Sequence, residues 1–240
     1  MPDDAPSIGD AVDRIRLRIG AAAARSGRSV DSVRLVAVTK TFGADAVRSA
    51  YQAGVRHFGE NRVQEWEPKK TLAGNLPGAV FHMIGHLQRN KARRAVTLFH
   101  RIDSVDDAAL ARKLDQFAAQ AERVLPVLIE VHLSEEPAKS GIEPQSLLLL
   151  AQAVAGCAHL NLRGLMTIPP WSENPEAARP YFRRLRELRD EVAGRLGRPL
   201  PVLSMGMTHD FETAIEEGAT EVRIGTGIFG RRPDPESETG

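Results

Sequence analysis

The sequence predicts an α/β fold, a (β/α)8 TIM barrel carrying an extra N-terminal helix. Three observations support this. Eight short apolar runs alternate with amphipathic stretches, and such alternation demands a parallel sheet because parallel neighbours need a crossover. The length, 240 residues, sits near the lower end of what a closed barrel of eight units requires. The turn after the first strand reads Thr39-Lys40-Thr41-Phe42-Gly43, without the Gly-x-Gly-x-x-Gly that an open doubly wound sheet prefers there.

Ile8, Val12, Ile15, Ile19 and Ala22 recur at spacings of four and three, which predicts an amphipathic helix ahead of the first strand. Strands are expected at 33–39, 56–59, 80–85, 101–104, 124–132, 160–168, 201–205 and 221–225. Helical patterns occupy 44–53, 62–72, 88–98, 106–121, 144–156, 176–196 and 209–217. A single domain over 1–232 is expected, then a polar, proline-broken and disordered tail over 233–240.

Composition narrows the class. Hydrophobic residues make up 42% of the chain and aromatics only 5%, so the core must be built mainly from Leu, Val, Ile and Ala. A formal charge of +1 gives no global attraction to nucleic acid or anionic membrane. The lone Cys157 excludes an internal disulfide and a four-cysteine zinc site. The acidic start lacks the apolar segment of a signal peptide, and the apolar stretch from Leu147 to Ala158 is too short to cross a bilayer. The expected location is the cytoplasm.

The chemistry-bearing residues fall where a barrel places function, at the C-terminal ends of strands. Lys40 ends the run Leu35-Val36-Ala37-Val38-Thr39-Lys40, which delivers an amine to the barrel rim. Ser204 to Thr208 end the seventh strand and Arg223 to Gly227 the eighth, the favoured place for a phosphate. Gly225 and Gly227 offer N–H donors, Thr226 a hydroxyl, and Thr208 is placed to cap the helix beginning near His209. Period-two alternation puts Arg223 on the same face as Gly225, either to meet an anion or a pyridine nitrogen or to pair with Glu221 or Glu217. A lysine, a phosphate cradle and an arginine together point to pyridoxal phosphate (PLP).

Other motifs carry less. Asn61, after the second strand, either reaches the mouth or caps the next helix. His82 and His86 straddle a strand end at Gly85, so metal binding is not expected; His86 is assigned to the cofactor pocket and His82 to the interior. The run Arg89, Lys91, Arg93, Arg94 reads as a solvated helix face, with nucleic acid contact the alternative.

These segments together resemble the pyridoxal-phosphate homeostasis protein family, relatives of the barrel domain of alanine racemase. The resemblance covers about residues 8–232 and rests on Val36–Thr41, FGENRVQE at 58–65 and HMIGHLQRNK at 82–91. It continues in KSGI at 139–142, GLM at 164–166, LSMGM at 203–207 and VRIGTGIFG at 222–230. It implies that Lys40 holds PLP as a Schiff base, that Arg223 faces the pyridine nitrogen, and that Ser204, Thr208, Gly225 and Thr226 surround the phosphate. Asn61 matches the family residue of the second loop. Thr208 stands where serine is usual, and His132 where asparagine is common.

The resemblance implies a holder of PLP in vitamin B6 and amino-acid balance more than a catalyst. A racemase needs acid/base groups on both faces of the bound substrate. Related racemases take the second, a tyrosine, from an additional β domain of a partner subunit, and the barrel here uses almost all the chain. Tyr51 and Tyr181 both fall in helical patterns, as does Cys157. The alternative is a racemase-like enzyme with His86 or water in that role. The expected partners are PLP and PLP-dependent apo-enzymes that accept it, with neither nucleic acid nor membrane, and a monomer is the default. Lys139 is either an adventitious PLP-binding amine or a solvated loop residue.

Overall fold

A computed structural model describes residues 7–134 and 140–230. Lys139 and the expected tail at 233–240 lie outside them. The strands β1 (Arg34–Val38), β2 (His57–Glu60), β3 (Val80–Met83), β4 (Arg101–Val105), β5 (Leu125–Glu130), β6 (Leu160–Met166), β7 (Val202–Met207) and β8 (Glu221–Ile224) pair in parallel and in sequence order. β1 closes the ring against β8, with Val36 opposite Arg223 and Ala37 opposite Ile224. The predicted barrel is the observed fold.

The helices form the outer ring: α1 (Ile8–Arg25), α2 (Ala44–Gln52), α3 (Val63–Ala73), α4 (Ala92–Leu98), α5 (Ala108–Gln120), α6 (Pro144–Ala155), α7 (Arg179–Leu196), α8 (Phe211–Glu216) and α9 (Thr226–Phe229). Cys157 falls just past α6 rather than within a helix. The helix after β8 is a single turn, too short to cover its share of the sheet. The extra helix α1 packs against α2, α8 and α9 and so covers the seam between β8 and β1. Its start is fixed by a capping box, with Asp10 N–H donating to Ser7 Oγ (3.1 Å) and Ser7 N–H to Asp10 Oδ2 (3.2 Å). Its buried stripe, Val12, Ile15, Ile19 and Ala22, is the periodicity seen in the sequence.

Between strands and helices lies a continuous apolar layer that includes Phe58, Trp66, Phe81, Leu114, Phe182 and Leu203. On the inner side of the sheet Leu128, Met166 and Val202 form a small, separate apolar cluster. Charged side chains fill much of the remaining interior. Among the described residues, no helix is long and apolar enough to cross a membrane.

Candidate functional site

The floor of the interior is a closed network of ions. Arg101 donates to Asp103 through Nε (2.6 Å) and Nη2 (2.7 Å), and to Glu221 Oε1 through Nη1 (2.9 Å). Arg34 reaches the same Glu221 oxygen at 2.6 Å. His82 Nδ1 lies 3.3 Å from Asp103 Oδ2, and its Nε2 lies 2.9 Å from His57 Nδ1. Burial, then the neighbouring His82 and Arg34, push His57 down to about 3, so that ring is neutral. Burial opposes the charges of Arg101, Asp103 and Glu221, but their mutual attraction outweighs it, raising the arginine and lowering both carboxylates. Ligand atoms of His82, Asp103 and Glu221 approach within 4.8 Å, but Arg101 already supplies the cation.

One level up sits Arg223, only 3% exposed. Its Nη1 donates to Ser204 Oγ at 2.7 Å and its Nη2 to the Thr167 carbonyl at 2.8 Å. Burial lowers its pKa, against the pull of Asp103, Glu130, Asp210 and Glu221. Arg101 and Arg34 take Glu221, so the simple pair of Arg223 with that residue does not form. Ser204 was expected at a strand end facing a phosphate; β7 runs on to Met207, leaving Ser204 fully buried in mid-strand as an acceptor for Arg223. Gly206 makes that longer strand possible. It takes φ +91, and a Cβ there would lie 2.6 Å from Ala214 Cβ.

Lys40 leaves β1 at the rim, half-buried, two residues past Val38, whose carbonyl lies close to Gly225. Its loop is held from beneath. Lys69 Nζ donates to the carbonyls of Thr39 (2.8 Å) and Phe42 (3.1 Å) and forms an ion pair with Glu60 Oε1 (2.6 Å). Thr39 Oγ1 donates to the same Glu60 oxygen at 2.6 Å. These bonds secure a turn in which Thr41 adopts φ +67, a strained value for a β-branched residue. Burial raises Glu60, with Lys69 pulling the other way.

The loops after β7 and β8 are tied together, since Gly227 N–H donates to Thr208 Oγ1 at 3.2 Å. Thr208 is therefore not the expected helix cap. Asp210 holds that position before α8, accepting from Met207 N–H at 2.6 Å. Gly227 is needed for packing, because a Cβ would lie 3.0 Å from both Ile224 Cγ2 and Thr208 Cγ2, whereas Gly225 has ordinary room. Thr226 is exposed and begins α9.

Asn61 and His86 share a cavity of 230 Å³ between the loops after β2 and β3, together with Met83, Gln88 and Lys91. Asn61 does not cap α3; Arg62 occupies that position and makes no side-chain cap bond. His86 is exposed and lies 3.2 Å from Asp106 Oδ2. A roomier cavity of 410 Å³ lies at the opposite, N-terminal face beside Arg16, Arg34, Arg56 and His57, the face where barrels carry stability. His132 is buried between Glu143 (3.0 Å) and Ser134 (2.8 Å). The basic run is partnered on the surface: Arg89 with Asp107, Arg94 with Glu67, and Arg93 over the Phe117 ring.

Lys40, Ser204, Arg223, Gly225, Thr226 and Thr208 thus gather on three adjacent staves, β7, β8 and β1, while Asn61 and His86 border the mouth from β2 and β3. Sequence reasoning passed over Glu60, Lys69, Asp106 and Glu130. Lys69 follows Val63 and Trp66 along the buried stripe of α3, and Glu130 ends an apolar run as Lys40 does. Those positions were the available clues.

The donor set suits a cofactor that is both aldehyde and anion: an amine at the rim, a permanently charged guanidinium below it, and backbone turns with hydroxyls beside it.

Residues 12–233 match the family described as alanine racemase, N-terminal domain. The pyridoxal phosphate homeostasis protein of Aquifex aeolicus (strain VF5) is 44% identical over 221 residues, covering 92% of this chain and 96% of its own length. The protein of that name from Escherichia coli (strain K12) is 42% identical over 224 residues, 91% of this chain and 94% of its own. PipY of Synechococcus elongatus PCC7942, solved with PLP bound, superposes with a TM-score of 0.84 at 36% identity, covering 93% of this chain and all of that one. Matched along nearly its whole length and built on the same barrel, this chain belongs to the pyridoxal phosphate homeostasis protein family, within the alanine racemase N-terminal domain group.

Proposed function

We propose that this protein binds PLP through a Schiff base on Lys40 and serves intracellular vitamin B6 and amino-acid homeostasis as a holder of the cofactor. The observation that carries this reading is the convergence of Lys40, just past the end of β1, with buried Arg223 on β8 and the tied loops after β7 and β8. PipY, a relative of the same fold, is described with PLP bound, which supports it.

When bound, PLP supplies an aldehyde that condenses with amines and a ring that accepts electron density. Lys40 provides the attacking amine, and Lys69 and Glu60 keep its loop in place. Arg223 stays protonated and can only donate, so a ring nitrogen facing it remains unprotonated, which weakens the ring as an electron sink. Ser204 acts through Arg223 by fixing the guanidinium. Thr208, Gly225 and Thr226 would receive the phosphate, and Asn61 and His86 would border the cofactor from the loops after β2 and β3. Tyr51 and Tyr181 lie on helices of the outer ring, with Tyr51 Oη donating to the Pro77 carbonyl at 2.8 Å. This favours a holder over a racemase.

A visible absorbance band that is present in the wild-type protein and absent from Lys40→Ala tests the attachment. Incubating loaded protein with amino acids in deuterated water tests the holder reading, since enzyme-like α-deuteration would replace it with the racemase reading. We further propose a cytoplasmic monomer that passes PLP to PLP-dependent apo-enzymes, in keeping with the near-neutral charge. Gel filtration and reactivation of an apo-enzyme test these two points.

A further inference from the structure

Across the ring from Lys40, β4 and β5 end in carboxylates. Val105 pairs with Ile129, so Asp106 and Glu130 leave neighbouring strands at the same level. Parallel neighbours run about 5 Å apart. Leu128 belongs to the interior cluster, and Glu130, two residues on, turns to the same side. Glu130 is 4% exposed; Ser140 Oγ donates to its Oε1 at a long 3.4 Å, and its Oε2 has no hydrogen-bond partner among the described residues. Asp106 meets His86 through Oδ2, while its buried Oδ1 has no partner among the described residues either.

The surroundings disfavour two negative charges. Burial, then Asp106, push Glu130 up to about 7, against the pull of Arg223 and His86. Burial also raises Asp106, with His86 opposing and Asp107 adding. Two acceptors without donors, crowded by like charge, call for a ligand that brings positive charge and N–H groups. A calcium or magnesium ion demands more oxygen ligands than two, whereas a primary ammonium carries three donors on one atom.

We propose that Glu130 Oε2 and Asp106 Oδ1 form a docking site for the primary ammonium group of an incoming amine, from an amino acid or a lysine side chain. This rests on the PLP reading above, because the amine's destination is the cofactor on Lys40. The site also makes the amine reactive. One N–H bond of the ammonium breaks and the proton passes to Glu130 Oε2, leaving a neutral amine and a neutral carboxyl group.

The test uses the full chain reduced with borohydride, its pyridoxyl load verified by intact mass, with ¹³C-labelled carboxyl groups observed by NMR. Methylammonium should bind and move the Glu130 titration to lower pH. Glu130→Gln and Asp106→Asn, both near-isosteric, should each weaken binding about tenfold or more, the scale of one charge-assisted hydrogen bond. Tetramethylammonium, which has no N–H, should not bind. Tighter binding of glycine than of Nα-acetyl-lysine amide marks a free amino acid as the source, and the reverse marks a protein lysine. If wild type and variants bind methylammonium alike, or the Glu130 titration ignores it, the inference fails. Should a variant not fold, the wild-type titration decides alone. Protein lacking the pyridoxyl mass speaks against the PLP reading, while loaded protein that ignores amines overturns only the docking site.

Discussion

The two ends of the barrel interior treat buried charge in opposite ways. On the floor, Arg101, Asp103, His82 and Glu221 satisfy one another at 2.6–3.3 Å. At the mouth, Glu60 Oε2, Asp106 Oδ1 and Glu130 Oε2 are buried without partners among the described residues. A complete network holds a fold in one arrangement and leaves nothing for a ligand. An incomplete one costs stability and leaves acceptors open to a ligand. The floor is satisfied within the protein, and the mouth is where the proposed ligands would bind.

The largest expected effect breaks the floor. Arg101→Met takes from buried Asp103 and Glu221 the cation they share, leaving them only His82 and Arg34, and should cost about 3–5 kcal/mol in urea denaturation. A loss under about 1 kcal/mol would erase the distinction between the two ends. Next comes the support beneath Lys40. Lys69→Met leaves Glu60 with only the Thr39 hydroxyl and removes the side-chain donor to the carbonyls of Thr39 and Phe42, for an expected loss of about 2–3 kcal/mol and faster escape of PLP. Unchanged retention of PLP would show that the loop holds its shape without Lys69.

The mouth should answer to pH with the opposite sign from a paired carboxylate. Glu130 titrates at about 7 in the folded protein, above its unfolded value of about 4.3. The folded chain therefore holds more protons in that window, and the stability it contributes at low pH is lost as pH rises through 7. Glu130→Gln should thus match wild type near pH 4 and exceed it near pH 8 by on the order of 2 kcal/mol. His57, depressed to about 3, works the other way, with its contribution present above about 6.5 and fading as pH falls toward 3. Melting the two proteins side by side cancels the His57 effect, and a pH-independent difference would remove Glu130 as the titrating group. The smallest effect is Ser204→Ala, which removes one acceptor of Arg223 and should cost about 1 kcal/mol with a severalfold weaker hold on PLP.

Much of the fold was legible because periodicity reports burial. The stripe Ile8-Val12-Ile15-Ile19-Ala22 and the alternating strands leave few other topologies. Lys40 and Arg223 were legible for a related reason, since a charged residue in or ending an apolar run is costly unless used. Local loop geometry was not. The strand end at Ser204 and the capping role of Thr208 were misplaced because Gly206, at φ +91, carries β7 two residues beyond the expected end and Asp210 takes the cap. Lys69 and Glu60 escaped because a lysine within Pro68-Lys69-Lys70 reads as surface until tertiary contacts show which of the two turns inward. Glu130 and Asp106 escaped because their pairing depends on the register between β4 and β5, which no local pattern encodes.

The central claim is that the amine of Lys40 holds PLP. Borohydride reduction of the loaded protein, followed by intact mass and peptide mapping, tests it most directly. The account predicts one pyridoxyl adduct, on the peptide containing Lys40, and its loss in Lys40→Ala. An adduct that persists in that variant at the same stoichiometry, or that maps to another lysine in wild type, would contradict it.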